Sequence, residues 1–185
     1  MDVYEAIRTR RDIETFAPDT PPRDVIERLI DAAVWAPNHR LTEPWRFAVV
    51  AGDRREVMAD AIASWLASKG EPEALATSAR AKLMRAPVTA FVAQANVDGA
   101  DPVRELEDYA ACAAALQNLL LAARAEGLVA HLSTDRMITY DVTREHLALG
   151  PHDRIVAMVN LGYLREGATP KQGVRKPADV YWDWA

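Results

Sequence analysis

Residues Arg104 to Glu126 read RELEDYAACAAALQNLLLAARAE, and this stretch decides the architecture. It is rich in Ala and Leu, contains no Pro or Gly, and stops at Gly127, so the sequence predicts a helix with a glycine C-terminus. Its middle is apolar on every side, interrupted only by Gln117 and Asn118. A helix of that kind is expected to be buried all round. Its uncharged run from Tyr109 to Ala123 is 15 residues long, short of the roughly 18 to 20 needed to span a bilayer. The expectation is a buried soluble helix.

Working outward, Val129 to Ser133 and Arg154 to Leu164 read as strands around a short helix near Thr143 to Leu149. On the N-terminal side, Val88 to Ala95 and Trp45 to Ala51 read as two more strands. Arg54 to Ser68 and Glu73 to Arg85 form two amphipathic helices between them, parted by Gly70 and Pro72. Residues 2 to 10 predict a first helix. Pro18, Pro21 and Pro22 then open a second, whose apolar face is Val25, Ile26, Leu29, Ile30, Ala33 and Val34. Pro37 and Pro44 bracket a polar loop, Asn38 to Glu43, that is a candidate site. The strand from Arg154 is apolar on both faces as far as Asn160, which predicts a sheet covered on both sides. Beyond Arg165 no periodicity remains, yet Tyr181, Trp182 and Trp184 crowd the end. Burying so aromatic a tail against a second subunit, or against its own domain, avoids an exposed apolar patch.

The chain has 185 residues, a net charge of -5, 50% hydrophobic residues and one cysteine, which describes one globular domain and excludes disorder and a disulfide scaffold. The acidic balance offers no broad basic field for nucleic acid or anionic membrane. The acidic start, Met1 to Glu5, lacks the pattern of a signal peptide, so a cytoplasmic location is expected.

No Gly-x-Gly-x-x-Gly, P-loop, Gly-x-Ser-x-Gly or His-Glu-x-x-His pattern occurs, and the four histidines show no metal-ligand spacing. No metal is expected. Cys112 falls in the apolar helix and reads as core. His131, Ser133 and Asp135 are neighbours in sequence, but a catalytic triad is defined by geometry, and these carry little weight. Two basic clusters are more informative: Arg8, Arg10 and Arg11 at the end of the first helix, and Arg175 with Lys176 in the tail. Each suits a phosphate; each also suits an ordinary helix end or a solvated tail.

Five pieces, in order, resemble the nitroreductase family of flavoproteins. They are Arg10-Arg11-Asp12-Ile13-Glu14-Thr15-Phe16; Ala32 to Pro37 with Glu43-Pro44-Trp45-Arg46-Phe47; Gln117 to Ala123 with Gly127-Leu128; Asn160-Leu161-Gly162-Tyr163; and Arg175-Lys176-Pro177. The resemblance implies an α+β, three-layer α/β/α fold with a mostly antiparallel central sheet, forming a single domain over residues 1–185. It implies a homodimer whose residues 165–185 extend onto the partner subunit, and one FMN per subunit at the interface. It places Arg10, Arg11 and Asp12 with Arg175 at the flavin phosphate, and His131, Leu132 and Ser133 beside the flavin. Asn38 and His39 would reach it from the partner chain, and nicotinamide contacts would fall near Leu121 to Glu126.

The activity implied is transfer of hydride from NADH or NADPH to FMN, then of electrons to an electron-poor small molecule such as a nitroaromatic, a quinone or an enal. No side chain is needed as a nucleophile. Reductive dehalogenation, flavin fragmentation, or flavin or phosphate binding without catalysis are the alternatives. Four residues depart from the family pattern: Asp12 stands for a serine, Glu14 for a basic residue, Leu41 for an asparagine and Glu43 for a glutamine. An ionised Asp12 only accepts hydrogen bonds, and would repel a phosphate unless paired with Arg10 or Arg11. Glu14 would oppose negative charge developing on a flavin, so Arg40 or His39 is expected to supply a compensating cation.

Overall fold

The computed structural model describes residues 1–95 and 101–178. Helix α1 (Val3–Thr9) is capped by Asp2, whose carboxylate accepts from the Glu5 amide, and it ends at Arg10. Helix α2 (Arg23–Ala33) is strongly amphipathic and buries Ile26, Leu29 and Ala33. A single 3-10 turn (His39–Leu41) then leads into β1 (Trp45–Ala51). Helices α3 (Arg54–Ser68) and α4 (Glu73–Leu83) pack on each other before β2 (Val88–Gln94). The long helix α5 (Pro102–Ala125) begins with Asp101 capping the Val103 amide and Pro102 in its first turn. Strand β3 (Val129–Ser133), a 3-10 turn (Arg136–Thr139), α6 (Asp141–His146) and β4 (Arg154–Gly162) complete the order.

The four strands form one sheet in the order β1-β2-β4-β3, every named pair antiparallel. All seven residues of β2 are buried because helices cover both faces. On one side, Val88, Ala90 and Val92 meet α2 and α5 in a core containing Leu29, Cys112, Ala115 and Leu119. On the other, Phe91 and Ala93 meet α3 and α4 in a core containing Met58, Ile62, Leu66 and Leu83. The three-layer expectation therefore holds. Burial in the first core pushes the Cys112 thiol up to about 12, with the Asp108 carboxylate adding to the effect, so this cysteine is an inert packing group.

Within one chain, helix α5 does not meet the all-round burial expected of it: it buries Ala111, Cys112, Ala115, Leu119 and Ala123 but leaves Leu106, Tyr109, Ala110, Ala113 and Gln117 exposed. Periodicity could not show this, because Ala and Leu occupy the covered and the uncovered face alike. Among the described residues, no helix is long and apolar enough to cross a membrane. The aromatic residues Tyr181, Trp182 and Trp184 lie outside the described residues.

Candidate functional site

The site grows from the chain leaving α1. Residues after Arg10 run extended beside β3, with Asp12 bridging Ala130 in parallel and the Ile13 amide donating to the Ala130 carbonyl at 2.9 Å. The opening motif thus adds an edge segment to the sheet, against the strand that holds residues 131–133. Extended backbone sends successive side chains to opposite faces. Arg11 and Ile13 turn toward Leu120 and Arg124 of α5, where with Arg10 and Thr9 they line a groove of about 220 Å³. No carboxylate lines this groove. The Arg124 Nε donates to the Thr9 hydroxyl at 3.1 Å, and Arg11 donates to the carbonyls of Arg8 and Arg10 at 2.7 and 2.8 Å.

Asp12 and Glu14 take the other face. One Asp12 oxygen accepts from the Leu132 amide at 2.8 Å, and the other meets His131 Nδ1 at 2.8 Å. Glu14 is paired with Arg85 at 2.8 Å and lies 3.9 Å from His131 Nδ1. Asp12 is therefore paired with His131 and a backbone amide, not with Arg10 or Arg11. Within the chain, the cation paired with Glu14 is Arg85. Alternation separates each carboxylate from Arg11 and Ile13. Ligand atoms of Asp12, Glu14 and His131 come within 4.8 Å of one another, a proximity that sequence spacing does not show. Arg85 and the Leu132 amide already engage two of the three.

Ser133 accepts from the Asp135 amide at 3.3 Å, and Asp135 in turn pairs with Lys82. Burial acts to raise the Asp135 carboxyl, but Lys82 and the Met137 amide together outweigh it and hold the group below the ordinary carboxylate range. Nothing in the spacing of Lys82 and Arg85 sets them apart in the sequence. They sit at the end of α4, where cations ordinarily complement the helix dipole. Only the fold turns that end toward residues 12–14 and 131–135.

The tail returns to the same place. Phe16 bridges Leu164, Arg165 Nε donates to the Phe16 carbonyl at 3.3 Å, and Pro170 lines the arginine groove. Gly173 packs so closely that an added Cβ would fall 2.8 Å from Arg11 Cζ. Arg175, two residues on, is exposed and donates to the Val174 carbonyl at 2.7 Å. The basic tail and the basic opening motif are thus brought to one edge of the sheet.

Asn38 and His39 belong to a separate group. The Asn38 side chain accepts from the Glu43 amide at 3.0 Å, Arg40 Nε donates to His39 Nε2 at 3.2 Å, and Thr42 donates to Asp108 of α5 at 2.6 Å. No hydrogen bond or ion pair joins this loop to Arg10, Asp12 or His131 among the described residues. Arg40, Leu41 and Glu43 have φ of 54°, 53° and 43°, left-handed backbone that costs of order 1 kcal/mol or more at each non-glycine residue. The strain is concentrated in one exposed loop, in which Leu41 is 82% exposed, next to Trp35 at 85% exposure.

A three-layer α+β domain with an arginine groove and a hydrogen-bonded acid–imidazole cluster on an edge strand is the class of protein that fold and site define. The family model described as Nitroreductase family matches residues 7–163, and the chain belongs to that family. It is 27% identical over 174 residues to YfhC of Bacillus subtilis, named as a candidate NAD(P)H nitroreductase, covering 91% of this chain and 87% of that protein. Among solved structures, a nitroreductase-like family protein from Bacillus cereus superposes with a TM-score of 0.83 at 26% identity, covering 100% of this chain and 96% of the other. The FMN-dependent nitroreductase NfnB from Mycobacterium smegmatis, solved in complex with NADPH, shares the fold with a TM-score of 0.78 at 18% identity, over 98% and 97% of the two chains.

Proposed function

We propose that this protein is an NAD(P)H-dependent FMN oxidoreductase that reduces an electron-poor small molecule, a nitroaromatic, quinone or enal. The observation that carries the reading is the junction of Asp12 with His131 and Leu132. Two segments assigned to one flavin from opposite ends of the sequence lie within hydrogen-bonding distance of each other. Family membership gives that junction its chemical meaning. The donor set suits FMN: Arg10 and Arg11 have no carboxylate partner among the described residues, while Asp12 is hydrogen-bonded to His131 and the Leu132 amide and Glu14 is paired with Arg85.

Bound FMN supplies the two-electron chemistry, accepting hydride from reduced nicotinamide and passing it on. Arg10 and Arg11, with Arg175 delivered by the tail, hold the phosphate. Asp12 fixes the Leu132 amide and the ring of His131, and Arg85 cancels the charge of Glu14. A second copy of the chain brings Asn38 and His39 to the flavin. The exposed face of α5 and the strained Arg40 to Glu43 loop form that homodimer interface.

Replacing Arg10 and Arg175 together by Ala removes two charge-assisted phosphate contacts of about 1.5–3 kcal/mol each, which weakens FMN binding by a factor on the order of 10² to 10⁴. Flavin retained after desalting, read from its absorption, measures this. A double variant that keeps its FMN as the parent does refutes the assignment. A parent that binds FMN tightly yet turns over no acceptor with either nicotinamide supports the non-catalytic binding module.

A further inference from the structure

The β1–α3 turn, the α4–β2 turn and the chain following β4 meet around a cavity of about 330 Å³, distinct from the arginine groove. Arg55, Arg85 and Arg165 line it, against a wall of Phe16, Pro18 and Met84, and no carboxylate faces it. The guanidinium groups are held before any ligand arrives. Arg55 donates to the Ala86 carbonyl at 2.5 Å and the Gly52 carbonyl at 3.3 Å, Arg165 donates to the Phe16 carbonyl at 3.3 Å, and Arg85 is anchored by Glu14 at 2.8 Å. A guanidinium carries five N–H donors, so Arg55 and Arg165 retain most of theirs. Neither has a carboxylate partner among the described residues, in a protein whose net charge is -5. Fixed cations with unspent donors, gathered at one concave place, are a receptor for an oxyanion. The volume lies at the small end of ligand sites, enough for a phosphate and part of what carries it.

We infer that this cavity binds a phosphomonoester dianion, gripped by the forks of Arg55 and Arg165, with Arg85 closing the side toward Glu14 and His131. Nothing in this depends on FMN occupying the neighbouring site. The same chemistry is offered by free phosphate and by the 2′-phosphate of NADPH. In the second case the cavity selects NADPH over NADH, an outcome that rests on the proposed oxidoreductase reading.

Calorimetric titration of inorganic phosphate and of 2′,5′-ADP into the FMN-saturated protein tests the inference, because bound FMN fills the Arg10 side. If the chain takes up no FMN, the oxidoreductase reading fails on its own, and the same titrations proceed on the protein as purified, with Arg10→Ala as the control. The expected result is one equivalent bound per chain. Arg165→Glu abolishes binding, Arg165→Lys weakens it on the order of tenfold by keeping charge without the fork, and Arg23→Ala, on the exposed face of α2, leaves it intact. Arg165 is exposed, so these variants retain the fold, which circular dichroism confirms. Tighter binding of 2′,5′-ADP than of phosphate, with a KM for NADPH raised by Arg165→Glu and that for NADH unchanged, identifies the nicotinamide as the source. Equal affinity for the two probes identifies free phosphate. No binding of either probe, or binding lost in Arg10→Ala and kept in Arg165→Glu, overturns the inference.

Discussion

Asp12 tests the site most sharply, because two substitutions there separate hydrogen bonding from charge. In the native chain one oxygen accepts from the Leu132 amide and the other engages His131, both at 2.8 Å. Asp12→Ala removes both bonds. Hydrogen bonds to a charged partner contribute about 1.5–3 kcal/mol each, but solvent screens a side chain that is 50% exposed, and this brings the combined loss down to about 2 kcal/mol. About 2 kcal/mol corresponds to a Tm lower by roughly 4–8 °C for a domain of this size. Asp12→Asn keeps an oxygen for the Leu132 amide and offers an NH₂ to a neutral imidazole, so its cost is below about 1 kcal/mol. The two variants part further on flavin affinity. Asn removes a negative charge near the phosphate arginines and tightens FMN binding, whereas Ala also frees the edge segment from β3. Urea unfolding with a paired FMN titration reads both effects. Equal stability of the parent and Asp12→Ala, or weaker FMN binding in Asp12→Asn, refutes the reasoning.

Two further predictions concern the frame. A Cβ at Gly162 would meet Pro87 Cδ at 2.9 Å and Phe16 Cδ1 at 3.2 Å, both in rigid rings, so Gly162→Ala overpacks the core and costs about 1–3 kcal/mol by urea unfolding. Asp135 has a folded pKa below its unfolded value. Its stabilisation is therefore full above the ordinary carboxylate range and lost as pH falls through the folded pKa, so the stability gap between the parent and Asp135→Asn narrows on acidification from about pH 6 to pH 3.

The sequence is a good guide to the frame and a poorer one to the site. Strand and helix positions follow from alternation, from Pro and Gly punctuation, and from the apolar face of Val25 to Val34, all of which are local signals. The predicted strand Trp45–Ala51 and helix Arg54–Ser68 keep those bounds in the structure. The uncovered face of α5 escapes such reading because its Ala residues look alike on both sides. The placement of Arg10 to Asp12 against residues 131–133 follows from motif resemblance, not from periodicity. The partner of Glu14 could not be foreseen. Arg85 is distant in sequence and resembles any cation at a helix end, and only the packing of α4 beside the edge strand brings the two together. Likewise, the opposed faces of Arg11 and Asp12 become meaningful only once Ile13 is hydrogen-bonded to Ala130.

The central claim is that the junction of the opening motif with β3 serves a flavin that exchanges electrons with reduced nicotinamide. Its most direct test is the visible spectrum of the FMN-loaded protein under anaerobic NADH or NADPH, followed by menadione. The account predicts near-stoichiometric FMN, bleaching by at least one nicotinamide, and recovery of the colour when the quinone is added. A protein that takes up no FMN, or whose bound flavin stays yellow with both nicotinamides, contradicts it.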